Sequence, residues 1–272
     1  MTTATLTRAA RQADGHYGFR TVAQMEWLKL RSVRSTWWTM LVFAAGMIGI
    51  AILVLSHQHW ASMNAADRAS FDPTNDSYAG LALGQLAVGV LGVLAITTEF
   101  SSGLIRATFA AAPRRPLVLA AKTAVVGAVA LVAGEILAFA AFAAGEAVLS
   151  APAPHATLAQ PGVLRAVLMA GAYPALVGLI GLGLGAVIRH TAGAISALVG
   201  VLFVLPLILV PLGTSIQNSV GQFMPMIIAE NSLTAVKPVP HSLSPGLGFG
   251  VLCLYAVAPL AIGGWALARR DA

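Results

Sequence analysis

Long stretches without a single charge constrain this chain more than any other feature. Runs free of Asp, Glu, Lys and Arg cover Trp37–Leu55 (19 residues), Ser77–Thr98 (22), Ala166–Ile188 (23), Thr191–Ala229 (39) and Pro238–Ala268 (31). Thr123–Leu149, 27 residues, is interrupted only by Glu135 and Glu146. About 20 apolar residues carry an α-helix across the hydrocarbon core of a bilayer. Each window holds one such span. The 39-residue window does not hold two, because Gly213–Gln222 is polar. Six spans are expected, near 37–55, 79–98, 123–148, 166–188, 192–212 and 246–267. Unpaired backbone groups are too costly in lipid for isolated strands, so the fold class is an all-α membrane protein. One transmembrane domain covers 19–272, after a disordered tail over 1–18. Of 272 residues only 10% are charged, against about 25% in soluble domains. The loops are too short for a catalytic domain. With Cys253 as the one cysteine, the chain cannot form an internal disulfide. Cys253 reads as a buried small apolar residue.

The net charge of +6 is an orientation signal rather than a nucleic-acid footprint. An even number of spans puts both termini on one side. That side carries Arg8, Arg11, Arg20, Lys29, Arg31, Arg34, Arg106, Arg114, Arg115, Lys122, Arg189, Arg269 and Arg270. The other carries Arg68, Arg165 and Lys237, beside the acidic Asp67, Asp72 and Asp76. Basic residues mark the cytoplasmic side. The termini are therefore expected in the cytoplasm of a cell with a plasma membrane. The first span, preceded by 36 residues and followed by no small-residue cleavage pattern, reads as a retained anchor.

Two segments do more than span. Residues 19–36 place Phe19, Val22, Ala23, Trp27, Leu30 and Val33 at helical spacing, with Arg20, Glu26, Lys29, Arg31 and Arg34 between them. This is an amphipathic helix lying in the membrane interface. It is either a lipid anchor alone or also a docking surface. The loop 99–122, EFSSGLIRATFAAAPRRPLVLAAK, is too long for a hairpin between spans. Ser101 or Ser102 can cap a short helix running to about Ala112, where Pro113 and Pro116 break it.

On these residues the chain resembles an ABC-2 type permease, the membrane subunit of a bacterial ABC exporter. The resemblance rests on the EWLKLRS helix, two spans, then Glu-Phe-x-x-Gly, a basic helix ending Pro-Arg-Arg-Pro, and a following Lys. It covers the chain from about residue 19 onward, and Glu99–Lys122 is its most specific piece. The family often has Thr where this chain has Leu104. The resemblance implies that the loop between spans 2 and 3 is a coupling helix docking on a separate cytoplasmic ATPase. Glu99, Gly103, Arg106, Arg114 and Arg115 would couple to it, with Glu26, Trp27, Lys29 and Arg31 on the interface helix. It also implies that ATP and Mg bind the partner, and that a second permease, identical or a sister chain, completes the transporter. This chain has no cofactor of its own in that reading and is not an enzyme. No Gly is followed by Lys, so the phosphate-cradling loop G-x-x-x-x-G-K-[ST] is missing.

Glu135 is the one charge deep in a span. An ionised carboxylate there costs about 3 kcal/mol by insertion scales, so it should face the bundle interior or a water path. It is protonated and hydrogen-bonded to a neighbour, lines a translocation path, or couples protons; the sequence leaves all three open. Glu146 reads as solvated at the boundary. The pairs Gly80/Gly84, Gly181/Gly185 and Gly246/Gly250 have the spacing of close helix packing but are too common among 27 glycines to assign a dimer face. Pro174, Pro206, Pro211 and Pro259 fall within or at the ends of spans. Residues 213–245 read as short interfacial helices, re-entrant by the resemblance or otherwise a surface loop. His57-x-His59 is too sparse for a metal site. The expected function is ATP-driven export of an unidentified, amphipathic or hydrophobic solute. The alternatives are a proton-coupled secondary transporter using Glu135, or a non-transporting anchor or regulator.

Overall fold

A computed structural model describes residues 18–236 and 240–269. The tail expected over 1–18 lies outside the described residues except for Gly18, and so do Lys237, Pro238 and Arg270. Among the described residues the chain is helical with no strand, and six helices are long and apolar enough to cross a membrane. It is a multi-pass membrane protein.

Helix α1 (Phe19–Ser32) precedes the first span, α2 (Arg34–Ser56). Val33, extended at φ −84° and ψ 120°, is the joint between them. Two short helices follow, α3 (Ala65–Ser70) and α4 (Pro73–Asp76), before the second span, α5 (Leu81–Ser101). Next come α6 (Leu104–Ala111) and the third span, α7 (Arg115–Val148). The fourth span, α8 (Val163–Ile188), leads through Arg189 to the fifth, which opens with α9 (Thr191–Val199). Helices α10 (Thr214–Val220) and α11 (Pro225–Leu233) lie between the fifth span and the last, α12 (Pro245–Arg269).

Helix α8 is the axis of the bundle. It packs against α5, α7 and α12, and 67% of its apolar window is buried, against 22% for the first span and 17% for the fifth. Its glycines make this central place available. A Cβ on Gly92 of α5 would stand 1.9 Å from the Gly178 carbonyl oxygen, and one on Gly181 would stand 2.2 Å from that of Gly89. On the other side, a Cβ on Gly134 of α7 would come within 2.2 Å of the Gly171 oxygen. Backbones at this range exclude any side chain between them, which is the small-residue packing of helices in lipid. Gly181 and Gly185 are thus used inside the protomer, and Gly80 packs in the same way on Gly46 of the first span.

Several boundaries differ from expectation, each for a physical reason. The third span starts at Arg115, not near 123. Pro116 sits in its first turn, where a missing N–H costs nothing, so the helix need not wait for the membrane. Its 34 residues extend about 51 Å, well beyond a core of roughly 30 Å. The second span continues through Ser101, and neither Ser101 nor Ser102 caps α6. Both hydroxyls bond back to the Thr98 carbonyl, and the N-cap is Gly103 in a left-handed turn at φ 72°. The fifth span is interrupted by a wide turn over Gly200–Val204, immediately before Pro206. The proline ring has no N–H for the ladder and crowds the carbonyl four residues back, which favours a widened turn there. Cys253 is exposed on the last span rather than buried. Glu146 is not merely solvated, because the Ala156 N–H donates to its Oε1 at 3.1 Å and the His155 ring meets its Oε2 at 3.0 Å. The segment 213–245 does form short helices. Helix α10 is unburied, whereas α11 packs Ile228 and Leu233 into the bundle core.

Candidate functional site

The end of the bundle where the first span begins and the last span finishes is built around four charges. Helix α1 turns Val22, Glu26 and Leu30 toward the bundle, one residue per turn along a single line. Val22 packs with Ala112, Val118 and Ala121 at the start of α7. Glu26, at the middle of the line, is 3% exposed. An unpaired carboxylate at that depth would be strongly unfavourable.

Its partners are Lys29 on the same helix and Lys122 on α7, and both also hold Glu99. The Lys122 ammonium, on the third turn of α7, donates to Glu26 Oε2 and, at 2.6 Å, to Glu99 Oε1. Glu99 closes the second span. The Lys29 ammonium donates to Glu26 Oε1 at 2.9 Å, Glu99 Oε1 at 3.1 Å and Thr108 Oγ1 at 3.1 Å. The Thr108 hydroxyl donates to Glu99 Oε2 at 3.1 Å. Two carboxylates and two ammonium groups make a neutral cluster in which every carboxylate oxygen is used. It joins the short helices α1 and α6 to the spans α5 and α7. Charged hydrogen bonds of this kind are short and strong, but a buried cluster depends on being complete, because losing one member strands the rest. A cavity of about 230 Å3 opens beside it, walled by Leu30, Val33, Leu91, Leu104 and Val126.

The residues singled out in the sequence divide between inside and outside. Glu99 is buried in the cluster, while Gly103 is the hinge that turns α5 into α6. Arg106 and Arg114 are exposed. Arg115 is half-buried; its guanidinium lies 5.4 Å from the Phe109 ring centre and donates to the Leu267 carbonyl at 3.2 Å, tying this corner to the last span. On α1, Glu26 and Lys29 face the bundle, while Trp27 and Arg31 face outward with Trp37 and Trp38. The outward aromatic line fits a helix bedded in the interface.

Glu135 is half-buried in the middle of α7. Its Oε2 is buried without a hydrogen-bond partner, and it packs against Gly171 of α8, where an added Cβ would stand 2.5 Å from its carboxyl carbon. It lines neither of the two cavities described here. Both His57 and His59 turn Nδ1 to backbone carbonyls, at 2.8 and 2.7 Å. No group of three or more metal-ligating side chains occurs among the described residues.

Three contributors escaped the sequence reading. Lys122 figured only as the basic residue that ends the loop, and Thr108 not at all. At the opposite end, Asp72 counted only as an outside charge. Its Oδ1 accepts the N–H groups of Thr74 and Asn75, and its Oδ2 accepts those of Ala235 and Val236 at 2.6 and 2.9 Å. With Arg165, which donates to the Thr234 carbonyl at 2.7 Å, it clasps the end of α11 to the bundle. The line Val22–Glu26–Leu30 was the available signal for the ion cluster, since a carboxylate between two apolar residues at four-residue spacing needs a buried cation. No protein-family model matches the chain, and no curated protein matches it either.

Proposed function

We propose that the chain is the membrane subunit of an ATP-driven ABC-2 type exporter, acting with a separate cytoplasmic ATPase and a second permease in the plasma membrane. One observation carries the reading. Thr108 on the helix between spans 2 and 3 meets Glu99 and Lys29, and Lys122 ties Glu99 to the third span, while Arg106 on that helix and Arg114 just after it are exposed. Force applied to α6 from outside the bundle would pass at once to α1, α5 and α7. A loop that only connected two spans would need no such fastening.

In this reading the termini and α6 face the cytoplasm, ATP and Mg are held by the partner, and the solute moves outward. The test is co-purification. Charge reversal at Arg106, as Arg106→Glu, should weaken recovery of the ATPase on the tagged chain while leaving the chain folded in the membrane. Transport by the purified chain without ATP would end the proposal. The buried, unpaired Oε2 of Glu135 favours one competing reading, proton-coupled transport. Transport by Glu135→Gln with an unchanged pH dependence would remove it.

A further inference from the structure

The end of the bundle opposite the ion cluster holds a second cavity, of about 210 Å3, which the coupling reading leaves unused. It lies between the α4 turn, the first turns of α5, the middle of α8 and the underside of α11. Gln85 and Tyr173 form its floor, each only 1% exposed. The Tyr173 hydroxyl donates to Gln85 Oε1 at 2.5 Å, and Gln85 Nε2 donates to the Ala82 carbonyl at 3.2 Å. A carboxamide nitrogen carries two hydrogens and a phenol oxygen two lone pairs. One N–H of Gln85 and the acceptor side of Tyr173 are therefore unspent at a depth that solvent barely reaches. Each floor group already has one partner, so the floor offers a guest one further N–H and one lone pair.

The lining adds a sign. Asp76 and Glu230 contribute carboxylates, and among the described residues no Lys or Arg lines the cavity. Asp72, the nearest further acid, is fully engaged by four backbone N–H groups and is not available to a guest. Leu81, Met226 and Leu233 supply apolar wall. The Asp72 and Arg165 clasps hold α11 in place as a roof, so the site is formed before anything binds.

We propose that this cavity binds a small organic monocation, a protonated amine on a compact apolar body, with its head between Asp76 and Glu230 and its body against Leu81, Met226 and Leu233. An anion would meet two carboxylates. A neutral apolar guest would strip water from those carboxylates and return nothing to them. A bound metal ion is held by three or more His, Cys or carboxylate side chains in most protein sites, and no such group occurs among the described residues. The volume lies below the roughly 300–1,000 Å3 of sites for drug-sized ligands, which sets the guest as small. Burial, with Asp72 adding to it, holds the Asp76 carboxyl up at about 6, as fits an acid short of a counter-charge. The proposal concerns this chain alone and does not rest on coupling to an ATPase, so either reading can fail without the other.

The test uses the purified full chain in detergent and calorimetric titration with phenethylammonium. Phenethyl alcohol serves as the neutral probe and phenylacetate as the anionic one. The expected result is saturable binding of the cation, roughly tenfold or more tighter than the alcohol, and none of phenylacetate. Asp76→Asn and Glu230→Gln should each weaken the cation roughly tenfold and leave the alcohol unchanged. Should Asp76→Asn fail to fold, the exposed Glu230→Gln carries the test alone. Equal binding of cation and alcohol overturns the proposal. So does cation binding that ignores the carboxylate substitutions, since that is partition into the micelle.

Discussion

Lys122 is 3% exposed and holds two carboxylates that are themselves buried. Replacing it with Met keeps the volume and removes the charge. Lys122→Met should then lower stability by about 3 kcal/mol or more, because Glu26 and Glu99 are left with Lys29 alone. Glu26→Gln should cost less when it is made in Lys122→Met than in the wild type, since the remaining Lys29–Glu99 pair is again neutral. Thermal unfolding of the detergent-purified single and double variants measures the coupling, and simple additivity would show that the four charges do not act as a unit. Asp76 responds to pH in a definite direction. Its carboxyl is raised from 3.8 to about 6, first by burial and then by Asp72. Between those values the folded chain holds a proton that the unfolded chain has released, so this group's contribution falls as pH rises from about 4 to about 6 and is constant above. The other titratable groups facing it are Glu230 on α11 and Tyr78 and Tyr173 around the floor. The melting temperature of wild type relative to Asp76→Asn should fall across that window. A flat difference would mean that Asp76 titrates normally.

The helices meet through backbone rather than through side chains where the bundle is tightest. A methyl group on Gly92 cannot be placed 1.9 Å from the Gly178 oxygen, so Gly92→Ala must part α5 from α8. A loss of about 1–3 kcal/mol follows from overpacking of this kind. Gly250→Ala is the matched control, since a Cβ there meets nothing within 4 Å and alanine is the better helix former. If both variants melt alike, the close crossing does not contribute to stability. The number and place of the spans were legible because hydropathy over a 20-residue window responds only to the bilayer. Which span lies at the centre was not legible. Every span is apolar, and glycines at four-residue spacing look alike whether they face lipid, a neighbour or a second copy. The start of α7 was missed for a related reason: a helix long enough to leave the membrane changes environment without changing secondary structure, so the charge on Lys122, which bounded the apolar window, was no guide to where the helix begins. For the site, α1 and α6 could be read from their periodicity and prolines. The pairing of Glu26 with Lys122, 96 positions apart, could not, because periodicity describes one helix at a time.

At the scale of the whole molecule, charge separates the two ends more sharply than shape does. Arg31, Arg34, Arg106, Arg114, Arg115 and Arg189 gather beside the neutral Lys29–Lys122–Glu26–Glu99 cluster at the end where the first span begins and the last span finishes, and Asp67, Asp72, Asp76, Glu146 and Glu230 outnumber Arg68 and Arg165 at the other. If basic residues are retained in the cytoplasm, α6 faces inward and the Asp76 cavity faces out. The coupling proposal depends on that sense, because an ATPase must reach Arg106; amine binding does not, and the sense decides only on which side of the membrane the cavity meets its guest. The native Cys253 sits exposed on the last span and would confuse labelling, so it is first changed to Ser. A single cysteine is then placed at Ala66, exposed on α3, or at Ala107, exposed on α6. A membrane-impermeant maleimide should label Ala66→Cys in intact cells and Ala107→Cys only after permeabilisation. Labelling of Ala107→Cys in intact cells would put α6 outside, beyond the reach of any cytoplasmic ATPase. That result would end the coupling proposal while leaving amine binding to the purified chain untouched.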